Sequence, residues 1–165
     1  MEFDQYDTPR ARWIVLHEYG EVMGGVRLMP TTSTCAQYSY MLRDAQLGML
    51  PDIPQDVLFF KAPVRDDIWE ATRLFLTSAV PAQRRIAVQR MLMNQMAGAA
   101  YAMGASHVLG IVPATFSRWM TRLGLMSAVP VGPVQNIDGD RTQAALMNVS
   151  YIGEMTPTES THTLH

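Results

Sequence analysis

Two segments near the N-terminus combine β-branched residues with alternating apolar and polar positions. Residues 12–17 (RWIVLH) and 22–29 (VMGGVRLM) are separated by four residues that include Gly20. Alternation with a period of two is typical of half-buried strands, and a short glycine-containing connection is typical of a hairpin. We predict a β-hairpin here, followed by a loop with one or two short helical turns over residues 36–60.

The middle of the chain predicts a strand, a long helix and a second strand. Residues 68–78 alternate as expected for a central strand, and residues 81–103 repeat apolar positions at helical spacing, with a proline in the first turn. Gly104 follows the last turn, and residues 107–112 form a short apolar run typical of a strand covered on both faces. This order favours a parallel βαβ unit.

The last third predicts a short helix and another hairpin. Residues 115–123 are helical in pattern and end at Gly124, and residues 129–137 and 143–151 flank a turn at Asp138-Gly139. The predicted fold class is therefore α/β (α+β), with a mixed, mostly antiparallel sheet of about six strands, a central βαβ unit and two main flanking helices. We expect one domain over residues 1–153 and a flexible tail over residues 154–165.

Composition excludes several classes of protein. The chain has 165 residues, of which 48% are hydrophobic and 17% charged, so it can bury one core and is not disordered. A single cysteine, Cys35, excludes a disulfide framework and a thiolate metal site. The first ten residues are acidic, unlike a signal peptide, and no apolar run reaches the roughly 18 residues of a membrane span. We expect a cytoplasmic protein with no membrane or nucleic-acid partner.

Charge is distributed unevenly along the chain. Of 13 basic residues, only Lys61 is a lysine. Acids outnumber bases in residues 1–80, and bases outnumber acids in residues 81–153. If the two halves segregate in space, the protein has two faces that prefer oppositely charged partners.

Common catalytic motifs are missing from the sequence. It contains no G-x-S-x-G elbow, no phosphate-binding G-x-x-x-x-G-K-[ST] loop, no G-x-G-x-x-G turn and no H-E-x-x-H pair. His162 and His165 lie in the predicted tail, and we predict no metal site. Cys35 is better explained as a small loop or core residue than as a nucleophile, because no recognisable motif places a histidine beside it.

Charged residues on or beside the predicted strands are the candidates for chemistry. They are Glu2, Asp4, Asp7, Arg27, Glu70 and Arg73. Glu70 and Arg73 have opposite parity, so they share a face of the sheet only if a bulge intervenes. Two interpretations remain open: solvent-exposed ion pairs, or a buried network of carboxylates and arginines with Trp69 and Phe75 alongside.

Four motifs in this order resemble the acyl-homoserine lactone synthases, the autoinducer synthases of bacterial quorum sensing. They are FDQYD at residues 3–7, GGVRLMPT at 24–31, WEATRL at 69–74 and RLG at 122–124. The resemblance covers the chain to about residue 151. It implies an acyltransferase fold related to the N-acetyltransferases, which agrees with the pattern of elements.

The resemblance also implies a reaction of two substrates. The α-amine of S-adenosylmethionine attacks the thioester of an acyl chain on acyl carrier protein, and the methionine carboxylate then closes the lactone and expels methylthioadenosine. S-adenosylmethionine is a substrate, and no cofactor is implied. The family's paired acids fall on Asp4 and Asp7, its strand arginine on Arg27, and its glutamate and second arginine on Glu70 and Arg73.

We assign catalytic roles to Glu70 and Arg73. Glu70, directly or through one water, is the candidate general base, because an α-amine with a pKa near 8 needs only a weak base to remove its proton. Arg27 and Arg73 would fix the carboxylates and hold the substrate carboxylate. The residues predicted to bind substrate are Asp4, Asp7, Arg27 and Trp69. The two acids suit a sulfonium cation, and Trp69 or Tyr6 would add a cation–π face.

A set of arginines in the second half would form a surface for the acidic carrier protein. They are Arg84, Arg85, Arg90, Arg118 and Arg122. A solvated helix face is the alternative explanation. Methionines at helical spacing in the same region are either ordinary core or the lining of an adaptable acyl pocket.

The sequence departs from the family pattern in three places, one of which is a mild change at Thr72-Arg73-Leu74, where the family usually has SRF. The FDxYD-type motif begins at Phe3, without the segment that precedes it in the family, so we expect either a truncated chain or a member with reduced or lost activity. Pro113 or Ala114 aligns where many members that prefer 3-oxo chains have threonine. Two other functions stay open: an acyl-coenzyme A-dependent N-acyltransferase, disfavoured by the glycine-free turn at residues 79–87, and a non-catalytic acyl-binding protein.

Overall fold

A computed structural model describes residues 4–123 and 127–150. The strands are β1 (Arg12–Glu18), β2 (Glu21–Pro30), β3 (Ile68–Leu76), β4 (His107–Pro113), β5 (Ser127–Pro130), β6 (Gln135–Ile137) and β7 (Asp140–Asn148). The helices are α1 (Met41–Gln46), α2 (Arg85–Ala102) and α3 (Phe116–Leu123), with a 3₁₀ turn at Ala82–Arg84.

The strands form one sheet in the order β1-β2-β3-β4-β7-β5, and β6 pairs with β7. Every pairing is antiparallel except that of β3 with β4, which α2 connects. This confirms the predicted mixed sheet with its central βαβ unit. Both predicted hairpins form, and their turn residues Tyr19-Gly20 and Asp138-Gly139 have the positive φ typical of two-residue turns.

The predicted strand over residues 129–137 is wrong, because the chain forms two strands there, β5 and β6. Gly132 lies so close to the carbonyl of Val57 that a Cβ at this position would clash with it. Pro130 and Pro133 also lack the N–H groups that a ladder needs. The described residues therefore form seven strands rather than about six.

The helices follow the prediction with one shift. Pro81 has an extended conformation, with φ −61° and ψ 150°, so the regular helix begins at Arg85 after a 3₁₀ turn. The short helix α3 matches the prediction for residues 115–123. Gly124 and the predicted tail at 154–165 lie outside the described residues. Among the helices that the structure describes, none is long and apolar enough to span a membrane.

The sheet separates two hydrophobic layers. Side chains on one face pack against α2, as Val108 does, and those on the other pack against α1 and the loop after it, as Leu109 does. On β3 the same alternation sends Trp69 toward α2 and Glu70 toward α1. The candidate site lies on the α1 side.

The two parallel strands separate at their C-terminal ends. Pairing of β3 with β4 extends only to Ala71 and Gly110, although both strands continue beyond these residues. Neither strand therefore supplies a hydrogen-bonding partner to the other beyond this pair. At this end of the sheet, β3 and β4 therefore leave a gap between them.

Candidate functional site

A buried arginine organises the site. Arg27 on β2 is only 1% exposed. Its Nη1 donates to Asp4 Oδ1 at 2.7 Å and to Asp7 Oδ1 at 3.1 Å, and its Nε donates to Thr72 Oγ1 at 3.0 Å. A buried guanidinium needs such paired and hydrogen-bonded carboxylates. The buried network proposed from the sequence is therefore present at Arg27, whose donors are taken by these protein groups.

Arg73 reaches the same carboxylate through a bulge in β3. Gly25 pairs with Phe75 and Arg27 with Thr72, so β3 has one extra residue in this stretch. Arg73 sits there with φ +57°. The bulge reverses the alternation of the strand, and Arg73 Nη2 donates to Asp4 Oδ2 at 2.8 Å. The bulge therefore allows Glu70 and Arg73 to lie on the same face of the sheet, although their positions along the strand have opposite parity.

Asp4 bridges the two guanidiniums and stays ionised. Burial raises the pKa of its carboxyl, but hydrogen bonds from Arg27 and Arg73 outweigh this effect and lower the pKa to about 2. Asp7 accepts from Arg27 and also from the backbone N–H of Asp4, at 2.8 Å. Two carboxylates therefore face two guanidiniums, and the negative potential expected from Asp4 and Asp7 is largely balanced.

Glu70 accepts hydrogen bonds from the first residues of α1. Its Oε1 accepts the N–H of Met41 at 3.0 Å and its Oε2 accepts the N–H of Leu42 at 2.8 Å. These N–H groups belong to the first turn of α1, where backbone N–H groups have no acceptors within the helix. Glu70 is 2% exposed, and burial raises the pKa of its carboxyl to about 7 against the opposing effect of the two N–H groups and Arg27. A carboxyl with this pKa can exchange a proton near neutral pH.

A second buried carboxylate was not anticipated from the sequence. Asp44 on α1 is 0% exposed and accepts from Ser39 Oγ at 2.6 Å and Tyr6 Oη at 2.9 Å. Burial, followed by the hydrogen bond to Asp44, raises the pKa of Tyr6. In the sequence, the one indication of this buried carboxylate is an acidic residue at a position of a short helix that faces the core.

A cleft of about 620 Å³ opens beside this network. Its lining includes the charged side chains of Asp4, Arg27 and Arg73. The apolar residues that line it include Met41, Met49, Leu50, Ile53, Ile111 and Ile137. Glu70 lies behind the wall, since it binds the N–H of Met41, which lines the cleft.

Trp69, which was predicted to bind substrate, does not line this cleft. It is 9% exposed and packs in the core on the α2 side, because its position on β3 alternates with that of Glu70. The aromatic rings near the network are instead Tyr6 and Trp13, whose centroids lie 5.8 and 5.9 Å from the Arg27 guanidinium carbon.

The arginines of the second half are not equivalent. Arg84 forms a two-pronged pair with Glu18, at 2.9 and 2.7 Å, so its charge is compensated. Arg85, Arg90 and Arg118 are exposed. Arg122 lies on α3, but its side chain is outside the described part of the structure.

The described residues offer no metal centre. Within residues 4–123 and 127–150, no three His, Cys, Asp or Glu side chains come together in a way that could hold an ion. His107 hydrogen-bonds Ser106 Oγ through Nδ1 at 2.8 Å, and Cys35 is exposed. His162 and His165 lie outside the described residues.

Comparison with known proteins gives consistent matches. The family model for autoinducer synthases matches residues 1–152. The acyl-homoserine-lactone synthase of Pseudomonas aeruginosa is 27% identical over 139 residues, which are 84% of this chain and 60% of that protein. The chain thus spans less than two-thirds of the length of the curated relatives it matches.

Solved structures share the fold. TofI, in a ternary complex with an inhibitor and MTA, has a TM-score of 0.71 at 24% identity, covering 90% of this chain and 70% of TofI. BjaI, a CoA-dependent acyl-homoserine lactone synthase with SAM and isopentyl-CoA, has a TM-score of 0.69 at 21% identity, covering 96% of this chain and 68% of BjaI. These likenesses confirm the predicted acyltransferase-type fold.

Proposed function

Because this chain belongs to the autoinducer synthase family, we propose that it makes an N-acyl-homoserine lactone from S-adenosylmethionine and an acyl thioester. The observation that carries this proposal is the buried Glu70 carboxyl, with a pKa of about 7, behind the wall of a cleft that Asp4, Arg27 and Arg73 line. The four sequence motifs that indicate the family include each of these residues.

In the first step, the α-amine of S-adenosylmethionine attacks the thioester carbon. The new C–N bond forms, the C–S bond breaks, and the thiolate leaves with one of the two protons that the ammonium group gives up. Glu70 takes the other proton through one water, because its carboxylate lies behind Met41 rather than in the cleft. Arg73 is the more exposed of the two guanidiniums, with 44% of its side chain accessible, and orients the substrate carboxylate.

In the second step, the methionine carboxylate oxygen attacks the γ-carbon attached to the sulfonium. A C–O bond forms and the C–S bond breaks, so a carboxylate and a sulfonium become a neutral lactone and methylthioadenosine. Asp52 and Asp138 also line the cleft and make no ion pair with the described residues. They supply the negative potential for the sulfonium, because Asp4 and Asp7 are balanced by arginines.

The acyl donor we propose is acyl carrier protein, in the cytoplasm. Exposed arginines in a half of the chain that contains few acids suit a strongly acidic partner. The proposal is tested by supplying S-adenosylmethionine with acyl-carrier-protein and acyl-coenzyme A thioesters of several chain lengths and detecting lactone by mass spectrometry. Lactone from the carrier thioesters supports it, lactone from coenzyme A thioesters alone changes the donor, and no lactone from either donor contradicts it.

Reversing two exposed charges on α2 should weaken use of the carrier protein. The variant R85E/R90E is expected to raise the apparent KM for acyl carrier protein about three- to tenfold and to reduce its salt dependence, because rim charges steer association. Arg84 is left unchanged since it already pairs with Glu18. The matched control is K61E, a reversal of an exposed loop cation. Equal KM values for the variant and wild type would leave these arginines as an ordinary solvated face.

A further inference from the structure

Two buried carboxylates hold the backbone that leads into α1. Asp44 accepts the backbone N–H of Ser39 with both of its oxygens, each at 3.1 Å, in addition to the two hydroxyl groups already described. Glu70 accepts the first two N–H groups of α1. The donors therefore all lie at the start of α1, on residues 39–42, except for the hydroxyl of Tyr6. Glu70 and Asp44 thus act on the same short segment from two different elements.

Tyr6 connects this segment to the arginine network. Its hydroxyl donates to Asp44 Oδ2 at 2.9 Å, and its backbone N–H donates to Asp4 Oδ1 at 2.9 Å. Asp4 in turn binds Arg27 and Arg73. Tyr6 is only 3% exposed, so its hydrogen bond to Asp44 is shielded from solvent, and losing it would leave a buried carboxylate with one donor fewer. Tyr6 therefore joins the two halves of the candidate site.

The charges that act on Glu70 come from β2 and α1. On the neighbouring strands, the residues in register with Glu70 are the apolar Met29 and Leu109. The titratable or charged groups that act on its carboxyl are on three other parts of the chain: Arg27 on β2, Asp44 on α1, and the tyrosines Tyr6 and Tyr40 before β1 and α1. Burial raises the pKa of both tyrosines above the ordinary value of 10, so they are uncharged at neutral pH.

Arg27 and Asp44 act on Glu70 in opposite directions. Burial raises the pKa of Glu70 most, and the two N–H groups of α1 lower it. Arg27 lowers it further, whereas Asp44 raises it, because a nearby like charge disfavours ionisation. Asp44 therefore makes Glu70 a stronger base, while the backbone that Asp44 anchors keeps the Glu70 carboxylate hydrogen-bonded.

We propose that Asp44 and Tyr6 are positioning residues that keep Glu70 in place as the base. This rests on the proposed function, in which Glu70 takes a proton from the substrate amine. Asp44 is not among the described residues that line the cleft, so it acts through Glu70 rather than on a substrate. Its charge adds to the effect, because it favours the protonated form of Glu70.

The substitution Y6F isolates the hydroxyl group. Phenylalanine keeps the ring that lies 5.8 Å from the Arg27 guanidinium carbon but cannot donate to Asp44. The Asp44 charge is then less compensated, and the start of α1 is held less firmly. Both effects raise the pKa of Glu70, so the rising limb of kcat/KM should move to higher pH by about half a unit or more.

The substitution D44N isolates the charge. The asparagine oxygen can still accept the N–H of Ser39, so the start of α1 keeps its anchor. Loss of the negative charge lowers the pKa of Glu70, and the rising limb of kcat/KM should move to lower pH by about half a unit or more. The two variants are therefore expected to shift the profile in opposite directions, which a general loosening of the structure would not do.

The titration of Glu70 can also be followed without turnover. Carbon-13 NMR of the side-chain carboxyl groups, with the Glu70 signal assigned by its loss in E70Q, gives the midpoint in the wild type, Y6F and D44N in the absence of substrate. The controls are Y19F, at a tyrosine that is 97% exposed in the turn after β1, and D66N, at an exposed acid before β3. Both controls should leave the midpoint unchanged.

Opposite shifts of the Glu70 midpoint in Y6F and D44N support the proposal. Any other pattern overturns it, including shifts in the same direction or an unchanged midpoint in either variant. If D44N does not fold, Y6F decides alone by an upward shift or its absence. Lactone formation with unmoved midpoints defeats this inference alone, whereas the expected NMR shifts in a protein that makes no lactone defeat the proposed function.

Discussion

Replacing Glu70 by glutamine is expected to lower turnover at least about a hundredfold while the fold is kept, since general base catalysis typically contributes that much or more. Glutamine retains one oxygen to accept an N–H from Met41 or Leu42, but it cannot accept a proton. Steady-state rates and far-UV circular dichroism at neutral pH measure the two effects. The matched control is E21Q, which changes an exposed glutamate on β2.

The raised pKa of Glu70 also predicts how activity and stability change with pH. Burial raises the pKa of Glu70 to about 7, so the unprotonated base accumulates as the pH rises through 7, and kcat/KM should rise with it. The contribution of Glu70 to the free energy of unfolding changes in the opposite direction and falls as the pH rises. A raised carboxyl pKa stabilises the protonated folded state, and this contribution, roughly 3 kcal/mol at most by the usual conversion, is present below pH 4.5 and lost as the pH rises through about 7. The E70Q variant should lack both dependences, and retained turnover with the same rising limb would remove Glu70 from the base role.

Replacing Arg27 by methionine is expected to destabilise the protein by about 3–5 kcal/mol and to abolish turnover. Breaking a buried pair on one side leaves uncompensated charge, and here Asp4 and Asp7 would both lose their buried partner. Urea unfolding followed by fluorescence gives the change in free energy. Removing the charges as well, in R27M/D4N/D7N, should recover part of the loss.

The control for this change is R65M. Arg65 also forms a two-pronged pair, with Asp67, but both side chains are exposed, so its loss should cost less than about 1 kcal/mol. Equal destabilisation by R27M and R65M would show that the Arg27 network is not a buried one. The network also predicts acid sensitivity. Because Arg27 and Arg73 lower the pKa of Asp4 to about 2, its contribution is present above the ordinary carboxyl pKa of 3.8 and is lost as the pH falls toward 2.

Most of the fold could be predicted from local patterns. The two hairpin turns, the strand-helix-strand unit and the glycine after α2 follow from short-range chemistry that the sequence displays directly. The break at Gly132 could not be predicted in the same way, because it depends on the close approach of Val57 from a distant loop. Likewise, the pairing of Arg84 with Glu18 joins residues far apart in the chain.

The candidate site shows the same division. The motifs identified Asp4, Arg27, Glu70 and Arg73, but their geometry needed the structure. Strand parity alone places Arg73 on the wrong face, and only the bulge with its positive φ corrects this. Parity does place Trp69 opposite Glu70, so applying it strictly would have removed Trp69 from the cleft.

The roles of buried acids depend on tertiary contacts. That Glu70 binds the first N–H groups of α1 could not be derived while residues 36–60 were predicted only as a loop with helical turns. The same uncertainty hid Asp44. Both acids owe their environment to the six-residue helix α1, which contains Asp44 and whose first N–H groups bind Glu70.

The stoichiometry of products tests the central claim most directly. With S-adenosylmethionine and an acyl thioester, the purified protein should release thiol, methylthioadenosine and N-acyl-homoserine lactone in equal amounts, followed together by thiol titration and mass spectrometry. Thiol release without methylthioadenosine would mean that the thioester is only hydrolysed or that the acyl group goes to another acceptor, and it would contradict the account.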